Sequence, residues 1–466
     1  MVQDSMICPW DGNTLPLWFV RESDLAVFKL THPEASGWLE QHGFSAERQR
    51  VIIIPSSSGG VAGAVVGLGA MADWSQLAWW HASGLPDRLP ARDFHVAGDL
   101  PASALHQVLL GWLHGGYRLT RYKSSASQVV RARLAVPRGV DSDAMLRQAH
   151  AVHWARDLIN APANELGPGE LAAAAADIAR EFAAEFRCLE GDDLLAQNFP
   201  LIHAVGRASA RAPRLIDLRW GDPRHPAVTL VGKGVCFDSG GLDIKGSSGM
   251  ALMKKDMGGA AIALGLARSL MARGAPIRLR VLIPAVENSI AGTSYRPGDV
   301  VRSRRGLTVE IGNTDAEGRL ILADALTEAD SERPSLLLDF STLTGAARVA
   351  LGPELPAVFG NDAELIEHIR RCGEQEADPV WPMPLWDPYD EELGSRVADL
   401  NNVSSSSFAG AIFGALFLRR FVSSTHSWAH FDLYAWNARE RPGRPVGAEA
   451  QCLRLADRLI LERFGR

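Results

Sequence analysis

Asn313-Thr314-Asp315-Ala316-Glu317-Gly318-Arg319-Leu320 sets two carboxylates two positions apart and a guanidinium two positions beyond them. The stretch follows a strand-like run at 307–311. It leads into a helix predicted over 319–330, whose apolar members Leu320, Ala323 and Leu326 fall on one side. Two carboxylates gathered in one short loop repel each other, so a fold that brings them together supplies a cation.

Upstream, residues 226–231 read as a short buried strand. It runs into Gly232-Lys233-Gly234-Val235-Cys236-Phe237-Asp238-Ser239-Gly240-Gly241, then Lys245, then Lys254-Lys255-Asp256-Met257-Gly258-Gly259. This segment adds the carboxylates Asp238 and Asp256 and the lysines Lys233 and Lys245. Residues 258–273 read as helix, 278–284 as strand and 336–340 as strand. The alternation predicts an α/β fold with a mostly parallel central sheet flanked by helices. Ligands of such sheets sit beyond the carboxyl ends of the strands. Lys233, Asp238, Asp315 and Thr342 all fall just past strand-like runs. Four carboxylates, a lysine amine and no histidine suit hard or borderline divalent ions, Mn, Zn or Mg. Lysine can ligate only as the neutral amine. Taken one at a time, Lys233 and Asp256 are ordinary turn or surface residues, Asp256 is a cap for the helix near 258, and Arg319 is a partner for Glu317.

Taken together, Val231-Gly232-Lys233-Gly234, Phe237-Asp238-Ser239-Gly240-Gly241, Asp256-Met257-Gly258-Gly259-Ala260, the octapeptide, and Asp339-Phe340-Ser341-Thr342-Leu343-Thr344-Gly345-Ala346 resemble, in order and spacing, the leucyl aminopeptidase family of dinuclear metallo-exopeptidases. The resemblance covers about residues 150–466. It implies an aminopeptidase acting on peptides with a free N-terminus and an apolar first residue, Leu or Met. It implies two divalent ions per subunit, Mn or Zn with Mg or Co as further options. Lys233 and Asp256 would hold one ion, Asp315 the other, and Asp238 and Glu317 both. Lys245 would stay charged and polarise the scissile carbonyl, and Arg319 would hold a bicarbonate ion as general base. Met253, Thr342 and Gly345 would line the pocket for the first side chain, with the Leu343 main chain orienting the intermediate. A homohexamer is implied as well. The chain departs from the family pattern at Gly246, where a proline is expected, and at Ser341, where alanine is usual.

Other chemistries lack support. There is no His-Glu-x-x-His pair, no Gly-x-Ser-x-Gly elbow and no Walker spacing after Gly232-Lys233-Gly234. A non-enzymatic assembly or nucleic-acid-binding protein that keeps the fold, and a hydrolase of another amide or ester, are the competing readings. A net charge of −6 gives no electrostatic case for nucleic acid or an acidic membrane.

At 466 residues, the chain is long enough for two or more domains. Pro137, Arg138 and Gly139 punctuate a join. The expected division is a smaller N-terminal α/β domain over 1–140 and a catalytic domain over 141–466 that opens with a connecting helix at 141–160. The five cysteines are scattered with no Cys-x-x-Cys, which fits a reducing compartment, and the first residues lack a secretory pattern, so a cytoplasmic location is expected. The uncharged stretch 51–72 is interrupted by Pro55, serines and glycines and reads as strand, loop, strand rather than a membrane span. Residues 401–418 read as a loop entering a buried helix.

Overall fold

The computed structural model describes residues 6–122 and 130–465. The chain divides into two compact units, Met1–His153 with Arg439–Val446, and Trp154–Ala438 with Gly447–Arg466. The helix Ser142–Asn160 carries the chain from the first to the second.

The first unit is built on six strands: β1 (Ile7–Cys8), β2 (Leu15–Val20), β3 (Val51–Pro55), β4 (Val61–Gly67), β5 (Asp93–Ala97) and β6 (Arg133–Ala135). Their order is β1-β6-β5-β2-β4-β3, all parallel except the β3–β4 pair. The stretch 51–72 supplies that antiparallel pair, and no helix among the described residues is long and apolar enough to cross a membrane.

In the second unit the strands include β7 (Glu185–Glu190), β8 (Arg214–Trp220), β9 (Ala227–Gly232), β10 (Gly234–Asp238), β11 (Arg278–Asn288), β12 (Val300–Arg302), β13 (Thr308–Glu310), β14 (Leu336–Ser341), β15 (Ala357–Gly360), β16 (Trp381–Pro382), β17 (Leu400–Asn401) and β18 (Trp428–Asp432). The main sheet runs β16-β15-β18-β14-β9-β11-β8-β7, with β10 also paired to β11. Its centre, β18-β14-β9-β11, is parallel, while β15 pairs antiparallel with β18 and β8 antiparallel with β11 and β7. The central strands are mostly apolar and buried because helices cover both faces. All six residues of β14 are buried, including Asp339, whose carboxylate accepts from Trp428 Nε1 at 2.7 Å and lies 2.5 Å from His430 Nδ1.

One strand falls elsewhere than the alternation suggests. The run at 307–311 forms β13, which joins β12 and β17 in a separate three-stranded sheet. The place beside β14 is already taken by β9, so a three-residue strand pairs with its hairpin neighbour instead.

Two helices back the loops at the strand ends. Gly258–Ala272 is rich in small residues and packs closely on β14 and β9. Glu317–Ser331 packs on Gly410–Arg419, where Leu320, Leu322, Leu326, Phe413, Leu416 and Phe417 are fully or almost fully buried. Each such side chain contributes about 1.5–3 kcal/mol.

Candidate metal centre

The parallel strands β9, β10, β11, β14 and β18 end on one side of the sheet, and polar residues stand at those ends. Lys233 follows β9 directly. Its N–H donates to Phe340 O at 3.0 Å and its carbonyl accepts from Ala260 N at 2.9 Å, which pins the main chain between strand and helix. Its ammonium lies 2.8 Å from Asp256 Oδ2 and 2.8 Å from Glu317 Oε1, and donates to Thr342 O at 3.0 Å. Asp256 sits in the turn Met253–Met257 just before the helix Gly258–Ala272. It does not cap that helix: its carboxylate turns to Lys233 and accepts from Thr342 Oγ1 at 2.7 Å.

Asp238 ends β10. Its Oδ1 accepts from Gly240 N at 2.9 Å and from Asn288 Nδ2 at 2.8 Å, leaving Oδ2 2.8 Å from Lys245 Nζ. The same ammonium is 2.5 Å from Asp315 Oδ1. Glu317 is the first residue of its helix, where the helix dipole favours negative charge. One carboxylate oxygen from each of Asp238, Asp315 and Glu317 lies within 4.8 Å of the other two. Gly246 has φ −62° and ψ 153°, a conformation that a proline ring also holds, so its departure from the family pattern leaves the Lys245 turn in the same backbone region.

Glu317, Asp238, Asp256 and Lys233 are each exposed by 3% or less, so their charges have little water to lean on. Four carboxylates face two ammoniums, an excess of two negative charges. Burial, then the Asp238 charge, pushes Glu317 up to about 8 and Asp315 to about 6, with the lysines pulling the other way. For Lys233 and Lys245, burial lowers the pKa, but the surrounding carboxylates overcome it and hold both well above the ordinary lysine range. Asp256 Oδ2, Asp315 Oδ1 and Glu317 Oε1 meet these lysines at ion-pair range but out of hydrogen-bond alignment. An acid-rich, oxygen-dominated donor set of this kind fits divalent cations.

These shifts fix the sign of the pH response. Without metal, Glu317 and Asp315 bind protons in the folded state that the unfolded state has released, so the stability they contribute is lost as pH rises from about 5 to about 8. With metal, the carboxylates must be ionised, and that loss disappears. The gap in Tm between manganese-saturated and chelated protein is therefore expected to widen with pH over this window. A gap that narrows would count against a cation at this site.

Arg319 lies in the first turn of the same helix. Nη1 donates to Asn402 O at 2.6 Å, and the buried Nε has no hydrogen-bond partner among the described residues. Burial pushes its pKa down to about 10, against the pull of Glu317 and Asp432. No carboxylate among the described residues is within ion-pair range, so a simple Arg319–Glu317 pair is not what is found. The helix Gly410–Arg419 approaches through Gly414, where a Cβ would fall 2.9 Å from Leu343 Cδ2 and 3.5 Å from Arg319 Nη2.

Met253 is half-buried in the turn that carries Asp256. Thr342 has its hydroxyl on Asp256 and its carbonyl on Lys233. The Leu343 N–H donates to Asp432 Oδ1 at 3.1 Å, so its carbonyl is the main-chain group not given to Asp432. Gly345 is exposed at the start of the helix Ala346–Leu351.

The sequence reading missed the residues that hold these loops. Asn288 grips Asp238 and, at 3.0 Å, Thr314 O. Asp432 accepts from the N–H groups of Leu343 and Thr344 and from Thr344 Oγ1. Asn402 accepts from Gly312 N and Asn313 N and donates to Asn313 O, closing the loop that precedes Asp315. Thr314 and Asp243 bond one another, tying that loop to the one bearing Lys245. Asn288 and Asp432 both end parallel strands, so the strand-end rule applied to every strand would have found them.

A family model described as "Cytosol aminopeptidase family, catalytic domain" matches residues 153–455, and one described as "M17 aminopeptidase, N-terminal domain" matches residues 15–137, the part where the sequence shows no recognisable motif. A probable cytosol aminopeptidase from a Geobacter species is 39% identical over 413 residues, 84% of each chain. Peptidase B from Pectobacterium carotovorum is 42% identical over 293 residues, 61% of this chain and 67% of that protein. Among solved structures, the cytosol aminopeptidase of Coxiella burnetii superposes with a TM-score of 0.94 at 45% identity, covering 99% of this chain and 100% of that one. The bottromycin maturation enzyme BotP in complex with Mn superposes with a TM-score of 0.88 at 32% identity, covering 96% and 99%.

Proposed function

This chain belongs to the cytosol aminopeptidase family and is an aminopeptidase, and we propose that it removes apolar, Leu- or Met-like N-terminal residues from peptides at a two-metal centre. The observation that carries this reading is the convergence of Asp238, Asp256, Asp315 and Glu317 on Lys233 and Lys245 at the carboxyl end of the sheet.

Lys233 and Asp256 would hold one ion, Asp315 the other through its side chain and main-chain carbonyl, and Asp238 and Glu317 both. Mn or Zn fits the donors best, with Mg or Co as further options. Bound ions supply a water acidified to a pKa of about 7 and a positive field for the developing oxyanion. Lys233 would ligate as the neutral amine, its proton displaced to solvent by the ion. Lys245 would keep its own and polarise the scissile carbonyl. Arg319 would hold a bicarbonate ion, the group that would supply the general base. Its buried, unpartnered Nε supports that role. Met253, Thr342, Leu343 and Gly345 line the subsite for the first side chain, and Thr342 also fixes Asp256.

The test is hydrolysis of leucyl-anilide by metal-stripped full-length protein, with Mn, Zn, Co or Mg added back and N-acetyl-leucyl-anilide in parallel. Activity should return with metal and be confined to the free amine. Equal cleavage of the blocked substrate would point instead to a general amide hydrolase. We also propose a cytoplasmic homohexamer. Light scattering at micromolar concentration should find six subunits, and monomers alone would refute the assembly.

A further inference from the structure

The helices Ala363–Gln375 and Leu453–Phe464 pack against each other far along the chain from the catalytic loops, and three side chains of metal-binding type meet between them. His368 and Cys372 are four residues apart and so share one helix face. Glu462 comes from the other helix. His368 Nε2 is 3.0 Å from Glu462 Oε2, and Cys372 Sγ is 3.8 Å from the same oxygen. One potential ligand atom from each residue lies within 4.8 Å of the other two. The second carboxylate oxygen, Oε1, is held by Arg458 Nε at 2.7 Å, and Arg458 is itself steadied by Glu376 at 3.0 Å. Glu462 is thus fixed with Oε2 turned toward the histidine and cysteine. Cys372 is buried, while the side chains of His368 and Glu462 are 21% and 35% exposed, which gives solvent access to a fourth position.

The aminopeptidase chemistry uses none of these groups, and their donor character differs from that of the catalytic centre. Imidazole, thiolate and carboxylate together select softer ions than a carboxylate–amine set does. We propose that His368, Cys372 and Glu462 form a separate site for a borderline divalent ion of the zinc class, clipping the C-terminal helix to its neighbour. Ligands 2.0–2.3 Å from such an ion stand roughly 3.3–3.8 Å from one another in a tetrahedron. Two of the three separations, 3.0 and 3.8 Å, lie near that range, and the third is within 4.8 Å.

Ion binding displaces the protons these groups carry. Without metal, His368 Nε2–H donates to Glu462 and Cys372 carries its thiol proton. On binding, the neutral imidazole moves its proton to Nδ1, and the thiol proton leaves to solvent, one released per ion.

The test uses the full chain with its catalytic centre loaded with Mn, titrated with Co. A sulfur-to-cobalt charge-transfer band in the near ultraviolet reads only thiolate ligation, and the catalytic donors contain no sulfur. The band should appear at sub-millimolar Co and vanish in Cys372→Ser. It should need at least about tenfold more Co in His368→Ala, since even outer-shell partners are worth roughly 10–100-fold in metal affinity. Cys236→Ser, beside the catalytic loops, should leave it unchanged. No band in the parent protein, or a band that survives Cys372→Ser, would overturn the proposal and leave these residues as a hydrogen-bonded helix contact. Because the readout does not depend on peptidase activity, it stands or falls apart from the catalytic assignment.

Discussion

Glu317→Ala is expected to lower the turnover of leucyl-anilide at saturating Mn by at least about 10³-fold while the protein stays folded. Loss of a shared metal ligand removes several kcal/mol of transition-state stabilisation, and each 1.36 kcal/mol is a factor of ten in rate. The fold should tolerate the change because the buried site carries an excess of negative charge, and Glu317 is the acid burial disfavours most. In the absence of metal, the variant should be at least as stable as the parent at pH 8, where the parent must ionise that acid. This combination separates a ligand from a structural ion pair. If Glu317 served only to pair with Lys233, 2.8 Å away, its loss would leave that buried ammonium with Asp256 as its one carboxylate partner and destabilise the protein without any reference to metal. A variant that cleaves as fast as the parent would remove Glu317 from the centre altogether.

The sequence made this centre legible because its ligands sit in contiguous loops. Lys233 and Asp238 bracket one short strand, and Asp315 and Glu317 share one loop. Each loop follows a strand-like run or opens a helix, so periodicity alone put the charged groups at the correct end of the elements. What holds the loops in place was not legible. Asn402 reaches the 312–316 loop from about ninety positions away, and Asp432 reaches Leu343 and Thr344 across a similar gap. A single Asn or Asp at such a distance carries no local signal, since its role depends on which strands lie side by side. The separate sheet of β12, β13 and β17 escaped for the same reason: a five-residue run looks alike whether it pairs with a central strand or with its own hairpin. The segment Arg439–Val446 groups with the first unit; its Arg, Pro and Gly residues mark a loop but not the unit that the loop joins.

Close packing beneath the loops yields the other large effect. Gly259→Ala is expected to destabilise the protein by about 3 kcal/mol or more. A Cβ at this position would fall 2.0 Å from Phe340 O and 3.0 Å from Lys233 N. The first is a main-chain carbonyl in the middle of the sheet, accepting from Lys233 N, so it cannot rotate away as a flexible side chain could. The helix Gly258–Ala272 must lift off β14, which exceeds the usual overpacking cost of about 1–3 kcal/mol for one added methylene in a core. The lift also moves Lys233 and Asp256, which flank the contact, so activity should fall along with the denaturant midpoint. Gly292→Ala serves as the control, because a Cβ there meets nothing within 4 Å and the change should stay within about 0.5 kcal/mol. An unchanged midpoint for Gly259→Ala would show that helix and strand have room for a methyl group between them, and that the position of Lys233 is not set by this contact.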